Sequence, residues 1–129
     1  MHIAHVAIWT GDLERLRIFY EWYFGAIAGP KYVNSAKQVE SYFLELDSGA
    51  RLEIMTMPAI QARGQPTGPI PTGYAHIAIS VGSRPRVDDL TNRLRTAGYP
   101  ILDGPRTTGD GYYESVVLDP DGNRLEITA

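Results

Sequence analysis

The chain contains no cysteine, so neither a disulfide framework nor a thiolate metal centre is open to it. It has no apolar run long enough to cross a bilayer. Nor has it any block of like charge: 12 basic residues stand against 15 acidic ones, for a formal net charge of -3. Nucleic acid and anionic membrane surfaces are therefore poorly matched as partners, and neither is expected. The opening Met1-His2-Ile3-Ala4-His5 lacks the charged region and following apolar stretch of a secretory leader, so a cytoplasmic, unprocessed protein is expected. At 129 residues the expectation is a single domain, 1–129, with room for two half-size modules around one core.

What the chain does have is a repeat. Ala4-His5-Val6-Ala7-Ile8 returns as Ala75-His76-Ile77-Ala78-Ile79, which raises an internal duplication. Read as strands, both copies place branched residues (Val6 and Ile8, Ile77 and Ile79) on one face and His-Ala on the other. A face that small and polar suits a cavity wall better than a packed core.

The modules, 1–57 and 74–129, follow the same order. In the first, Thr10-Gly11-Asp12 offers capping oxygens, and Leu13, Leu16, Tyr20, Tyr23 and Phe24 recur at helical spacing up to Gly25. Lys31 to Lys37 reads as an edge strand or loop, and Ser41–Asp47 with Arg51–Thr56 as a hairpin turning at Ser48-Gly49. A Pro/Gly-rich connection, 58–73, follows, and its length makes part of it a candidate lid. In the second module Ser83-Arg84-Pro85 caps a helix carrying Val87, Leu90, Leu94 and Ala97 and ending at Gly98. Tyr99–Asp103 starts a strand and Gly104 to Gly111 reads as a loop, without the spacing or lysine of a P-loop. Tyr113–Leu118 and Arg124–Thr128 are strands joined by the turn residues Asp119-Pro120-Asp121-Gly122-Asn123.

Each module thus has a histidine on its first strand and a glutamate on its last, and Arg51-Leu52-Glu53-Ile54 recurs letter for letter as Arg124-Leu125-Glu126-Ile127. The flanking Leu and Ile pack on one side, so Glu53 and Glu126 project toward the same hollow as His5 and His76. Carboxylates facing one another in a hollow need a raised pKa or a cation between them. A divalent ion held by His5, Glu53, His76 and Glu126 gives a neutral assembly of two imidazoles and two carboxylates. Such nitrogen and oxygen donors suit Zn or Ni, with Co, Mn and Fe(II) also compatible.

With its duplicated modules and this ligand set, the chain resembles the vicinal oxygen chelate superfamily, and within it glyoxalase I, or lactoylglutathione lyase. The resemblance spans essentially the whole chain and implies an α+β fold of two βαβββ modules forming a curled mixed sheet around a metal cavity, usually completed in a homodimer. It implies metal ligands His5, Glu53, His76 and Glu126, and a small-molecule substrate that chelates the ion through an α-hydroxycarbonyl. Glu126 is then the expected base for proton abstraction, with Glu53 as the second candidate; Trp9, Tyr113 and Arg106 are candidates for lining the pocket. Trp9 and Met57 stand where bacterial glyoxalase I typically has arginine and asparagine, which removes two polar anchors for a charged tripeptide. The competing expectations are an epimerase or isomerase acting on a substrate unrelated to glutathione, and a metal-free small-molecule binding or resistance protein of the bleomycin type.

Overall fold

Polar residues between the first strand and the first helix decide where that helix starts. In the computed structural model, which describes residues 1–61 and 72–129, strand β1 (His5–Trp9) leads to Asp12, whose extended backbone and carboxylate cap helix α1 (Leu13–Phe24). The Asp12 carboxylate accepts a 3.0 Å hydrogen bond from the Arg15 N–H, satisfying one of the donors that a helix N-terminus leaves unpaired. Gly25 ends the helix in the left-handed conformation, φ 67°, which costs a residue without Cβ nothing. Leu13, Leu16, Phe19 and Tyr20 form the buried stripe. Phe19 is absent from the expected stripe, and Tyr23 and Phe24 are only half-buried, because the face turned to the sheet is centred one residue earlier than the apolar spacing implied.

Four strands complete this module: β2 (Ile27–Ala28), β3 (Tyr32–Asn34), β4 (Val39–Glu45) and β5 (Arg51–Thr56). β5 lies between β1 and β4, parallel to the first and antiparallel to the second. β2 and β3 both pair with β4, as two short pieces on either side of Gly29-Pro30. The hairpin strand begins at Val39, two residues before the expected Ser41. Leu52 and Ile54 of β5 are buried on the side of α1, which leaves the intervening Glu53 on the other face.

The second module has β6 (Ile77–Ser80), helix α2 (Arg84–Thr96), β7 (Ile101–Thr107), β8 (Tyr113–Leu118) and β9 (Arg124–Thr128), in a sheet of order β6-β9-β8-β7. β6 and β9 are parallel. Val87, Leu90 and Leu94 of α2 are buried with Val117, Leu125 and Ile127, and the hydroxyls of Thr91 and Ser115 share a buried 2.6 Å hydrogen bond across that contact. The loop expected over 104–111 is strand as far as Thr107: Arg106 and Thr107 pair with Glu114 and Tyr113, after register shifts that make room for Gly104-Pro105. β7 is an edge strand, so the missing proline N–H costs no ladder bond. At Gly104, φ 73°, a Cβ would lie 2.5 Å from the Glu114 carbonyl oxygen, so only glycine fits.

The chain divides into two compact units, Met1–Gly64 and Gln65–Ala129, each an α+β unit with a mixed sheet under one helix. The connection expected over 58–73, and the lid expected in it, fall mostly outside the described residues. Among the described residues no helix is long and apolar enough to cross a membrane.

Polar contacts tie α1 to its sheet at one edge. Glu14 accepts hydrogen bonds from Arg17 Nε at 2.9 Å and from the Tyr42 hydroxyl at 2.9 Å, and Lys31 Nζ lies 3.3 Å away. The Arg17 contact, then Tyr42 and Lys31, hold the Glu14 carboxyl below the usual glutamate value. A depressed carboxyl pKa adds stability above the unfolded value, about 4.3, and loses it as the pH falls through the folded one. Glu14→Gln is therefore expected to lower stability at pH 7 by less than about 1 kcal/mol, since the side chain is nearly half-exposed and screened by water. The gap from wild type should close in acid below pH of about 4, which urea unfolding at pH 7 and pH 3 will check.

Candidate functional site

The sequence repeat becomes a structural repeat through the parallel strand pairs. In β1 and β5 the partners are Ala7 and Glu53; in β6 and β9 they are Ala78 and Glu126. Each histidine precedes its alanine by two residues and so shares its face. That makes it the diagonal neighbour of the glutamate, and on the histidine's strand the residue directly opposite the carboxylate carries only a methyl group. His5 Nε2 lies 3.8 Å from Glu53 Oε2, and His76 Nε2 lies 3.2 Å from Glu126 Oε2. The imidazoles are about two-fifths exposed, the carboxylates about one-fifth.

The four expected ligands are thus brought together as two pairs, each within its own unit. Donors that share an ion at about 2.0–2.2 Å lie about 3.0–3.8 Å apart for ordinary bond angles, and both pairs have that spacing. Imidazole and carboxylate are also the donor types that Zn, Ni, Co, Mn and Fe(II) accept. Each pair therefore fits as half of a metal-binding set. Among the described residues no three His, Cys, Asp or Glu side chains gather around one point.

The two pairs differ in what surrounds them. In the first unit Phe43 stands opposite Glu53 across β4 and β5, and its ring meets the His5 ring edge-on, with centroids 5.4 Å apart. The Arg51 guanidinium lies 4.2 Å from the centroid of the Phe43 ring, in cation–π range. Trp9, two residues beyond Ala7 on the same face, is 45% exposed beside Met55. In the second unit the corresponding neighbours are Val116 opposite Glu126 and Glu114 opposite Thr128. Burial raises the Glu114 carboxyl above the usual glutamate value and the charge of Glu126 adds to the rise, while Arg106 and His76 oppose it. The Thr128 hydroxyl oxygen on this face is buried and has no hydrogen-bond partner among the described residues.

Glu114 is absent from the residues expected at the site. Strand alternation contains the signal, because antiparallel pairing of β8 with β9 puts 114, 116 and 118 on the face of Glu126. Arg106 is on that face as well, opposite Glu114 and paired with Asp103 at 2.7 Å. Tyr113 is not. Its hydroxyl donates a 2.7 Å hydrogen bond to Asp88 of α2, and Arg84 lies 5.0 Å over its ring, so it anchors the helix on the opposite side of the sheet and does not line a pocket beside Glu126.

Residues 2–127 match the model of the Glyoxalase/Bleomycin resistance protein/Dioxygenase superfamily. A protein of Pseudomonas aeruginosa is 28% identical over 129 residues, covering 98% of this chain and 86% of that one. Among solved structures, the trypanothione-dependent glyoxalase I of Leishmania major is 25% identical with a TM-score of 0.79, over 99% of this chain and 86% of that one. A glyoxalase family protein of Enterococcus faecalis is 25% identical with a TM-score of 0.78, over 98% and 96%.

The alanines opposite the carboxylates give a direct test of the paired geometry. Ala7→Leu and Ala78→Leu lie on exposed positions and should change stability by no more than about 0.5 kcal/mol. Where the pairs hold a divalent ion, each substitution should weaken its uptake by crowding the neighbouring carboxylate, as read by equilibrium titration with Zn or Ni.

Proposed function

Since the chain belongs to the Glyoxalase/Bleomycin resistance protein/Dioxygenase superfamily, we propose that it is a metal-dependent lyase or isomerase of the glyoxalase I type. Its substrate is a small molecule that chelates through an α-hydroxycarbonyl, of which a hemithioacetal is one form. The observation that carries this reading is the repeated construction of the two pairs, His5 with Glu53 and His76 with Glu126, from parallel strands in one register. The glyoxalase I and glyoxalase family structures among the relatives support it. On this reading one domain spans 1–129, the setting is cytoplasmic, and the protein works as a homodimer.

The four side chains are proposed to hold one ion jointly, within a chain or between two. Two ligands from one unit alone fall short of the three or four that protein metal centres use. Zn or Ni suits the set best, with Co, Mn and Fe(II) also compatible. When bound, such an ion supplies Lewis acidity against the negative charge that grows on the substrate oxygen. The imidazoles of His5 and His76 serve as neutral ligands. Glu126 takes the proton from the carbon beside the carbonyl and delivers it to the neighbouring carbon, so that one carboxylate is base and then acid. Glu53 is the second candidate for that role. The methyl groups of Ala7 and Ala78 leave the space beside each carboxylate into which a substrate carbon can come.

Glu126→Gln keeps the size of the side chain and removes its basicity. It should fold normally and lose about 100-fold or more of its turnover of the methylglyoxal–thiol hemithioacetal; unchanged turnover would eliminate Glu126 as the base. A chelator should lower the melting temperature and an added divalent ion should restore it, because an ion at 100 times its Kd stabilises the native state by about 2.7 kcal/mol. Purified protein free of metal that binds small molecules without turning them over would favour a binding protein of the resistance type.

A further inference from the structure

The duplication lets the two helices be compared position by position. The step along the chain from His5 to His76 also carries Leu16 and Phe19 of α1 onto Val87 and Leu90 of α2, and all four are buried. On the outer side the same step carries Arg15, Ile18 and Trp22 onto Arg86, Asp89 and Arg93, and all six are exposed. Ile18 is 54% and Trp22 71% exposed. A helix lying over a sheet needs an apolar stripe on the sheet side only, and α2 meets that need with a polar outer face. The apolar pair on the outside of α1 is therefore not a requirement of the fold.

Arg15, Ile18 and Trp22 recur at spacings of three and four residues, which sets them in one row along the helix. Glu14, Arg17 and Glu21 form the row beside it. Arg17 is held by Glu14 at 2.9 Å and by Glu21 at 2.5 Å, and its guanidinium lies 5.5 Å from the centroid of the Tyr42 ring. Those contacts draw the charged side chains toward the sheet edge and leave Ile18 and Trp22 exposed. The two ends of the row differ in charge. Arg15 stands in the first turn, whereas the last turn has no basic residue, carries the negative end of the helix dipole and has Glu21 next to Trp22.

We propose that a second copy of this chain seats on this row, through an antiparallel contact between two α1 helices about a twofold axis. Rows with this spacing pack helices nearly aligned, at about 20°. In the antiparallel arrangement Ile18 of each copy packs against Trp22 of the partner subunit, and each Arg15 meets the negative last turn of the neighbouring helix. A parallel arrangement would set Arg15 against Arg15. The twofold contact is self-complementary and closes after two copies. One tryptophan and one isoleucine per copy are few beside the roughly 800 Å² per partner of a standard interface, so the association is weak. Leu52 and Ile54 are buried on the side of α1 and Glu53 takes the other face, which puts the contact on the opposite side of the first sheet from His5 and Glu53. It is thus separate from any contact that completes the metal set, and it does not rest on the functional reading above.

Sedimentation equilibrium of the intact chain from about 1 μM to 1 mM should show the mean mass rising through a twofold step. The double variant Ile18→Asp with Trp22→Arg gives α1 the outer residues that α2 already carries, so it should fold normally and move the step to a concentration about 30-fold higher or beyond the range. Trp22→Gln, which adds no charge, should move it in the same direction by about tenfold, and Arg15→Glu by about threefold. Because the chain has no cysteine, Ile18→Cys and Trp22→Cys report the direction of the contact: mixed under mild oxidation, they should form a disulfide with each other and neither with itself. Turnover of the hemithioacetal per chain should be the same in the double variant and wild type. A wild-type mass independent of concentration, growth without limit, folded Ile18→Asp/Trp22→Arg and Trp22→Gln variants that associate like wild type, or a disulfide between two Ile18→Cys chains would each overturn the contact. So would a chain that stays single in solution and sediments with anionic vesicles, which would make the row a membrane-facing surface.

Discussion

Parallel pairing between the first and last strands of each module is the constraint from which the candidate site follows. β1 pairs with β5 and β6 with β9 in equivalent registers, so Ala7 stands opposite Glu53 and Ala78 opposite Glu126. A shift of one residue in either ladder would turn the glutamate to the helix side of the sheet, where Leu52, Ile54, Leu125 and Ile127 are buried, and would bring those apolar side chains to water. The hydrophobic core therefore fixes the register, and the register places a carboxylate beside an imidazole. Packing and chemistry use alternate residues of the same two strands.

The repeat does not produce equal halves. The first pair is bordered by Phe43, Trp9 and Met55, the second by Val116, Thr128 and Glu114. An aromatic edge against an imidazole limits the orientation of the ring, whereas a second carboxylate near Glu126 adds negative potential that an ion or a proton would relieve. Duplication supplied the scaffold twice, and divergence of the neighbouring side chains gave each copy a different chemical environment.

Most of the fold was legible in the chain because its signals are local. Asp12, Gly25 and Ser83 bound the helices where capping rules place them, and the alternation in Arg-Leu-Glu-Ile shows which face each glutamate takes. The extension of β7 through Gly104-Pro105 was not legible. Glycine and proline read locally as a loop, and only the edge position of the strand, with the approach of the Glu114 carbonyl, explains their presence in a ladder. Tyr113 and Glu114 illustrate the same limit. They are adjacent in the chain, and the pairing partners decide that the first holds α2 while the second lies beside Glu126.

The sequence by itself determined the duplication, the two histidines, the two glutamates and the alternation that separates them from the core, since these depend on residue type and a period of two. Tertiary structure decided the distances of 3.8 and 3.2 Å within the pairs and the presence of Glu114 on the face of Glu126. Those properties depend on strand register and on close approach between residues far apart in the chain, which no local pattern encodes.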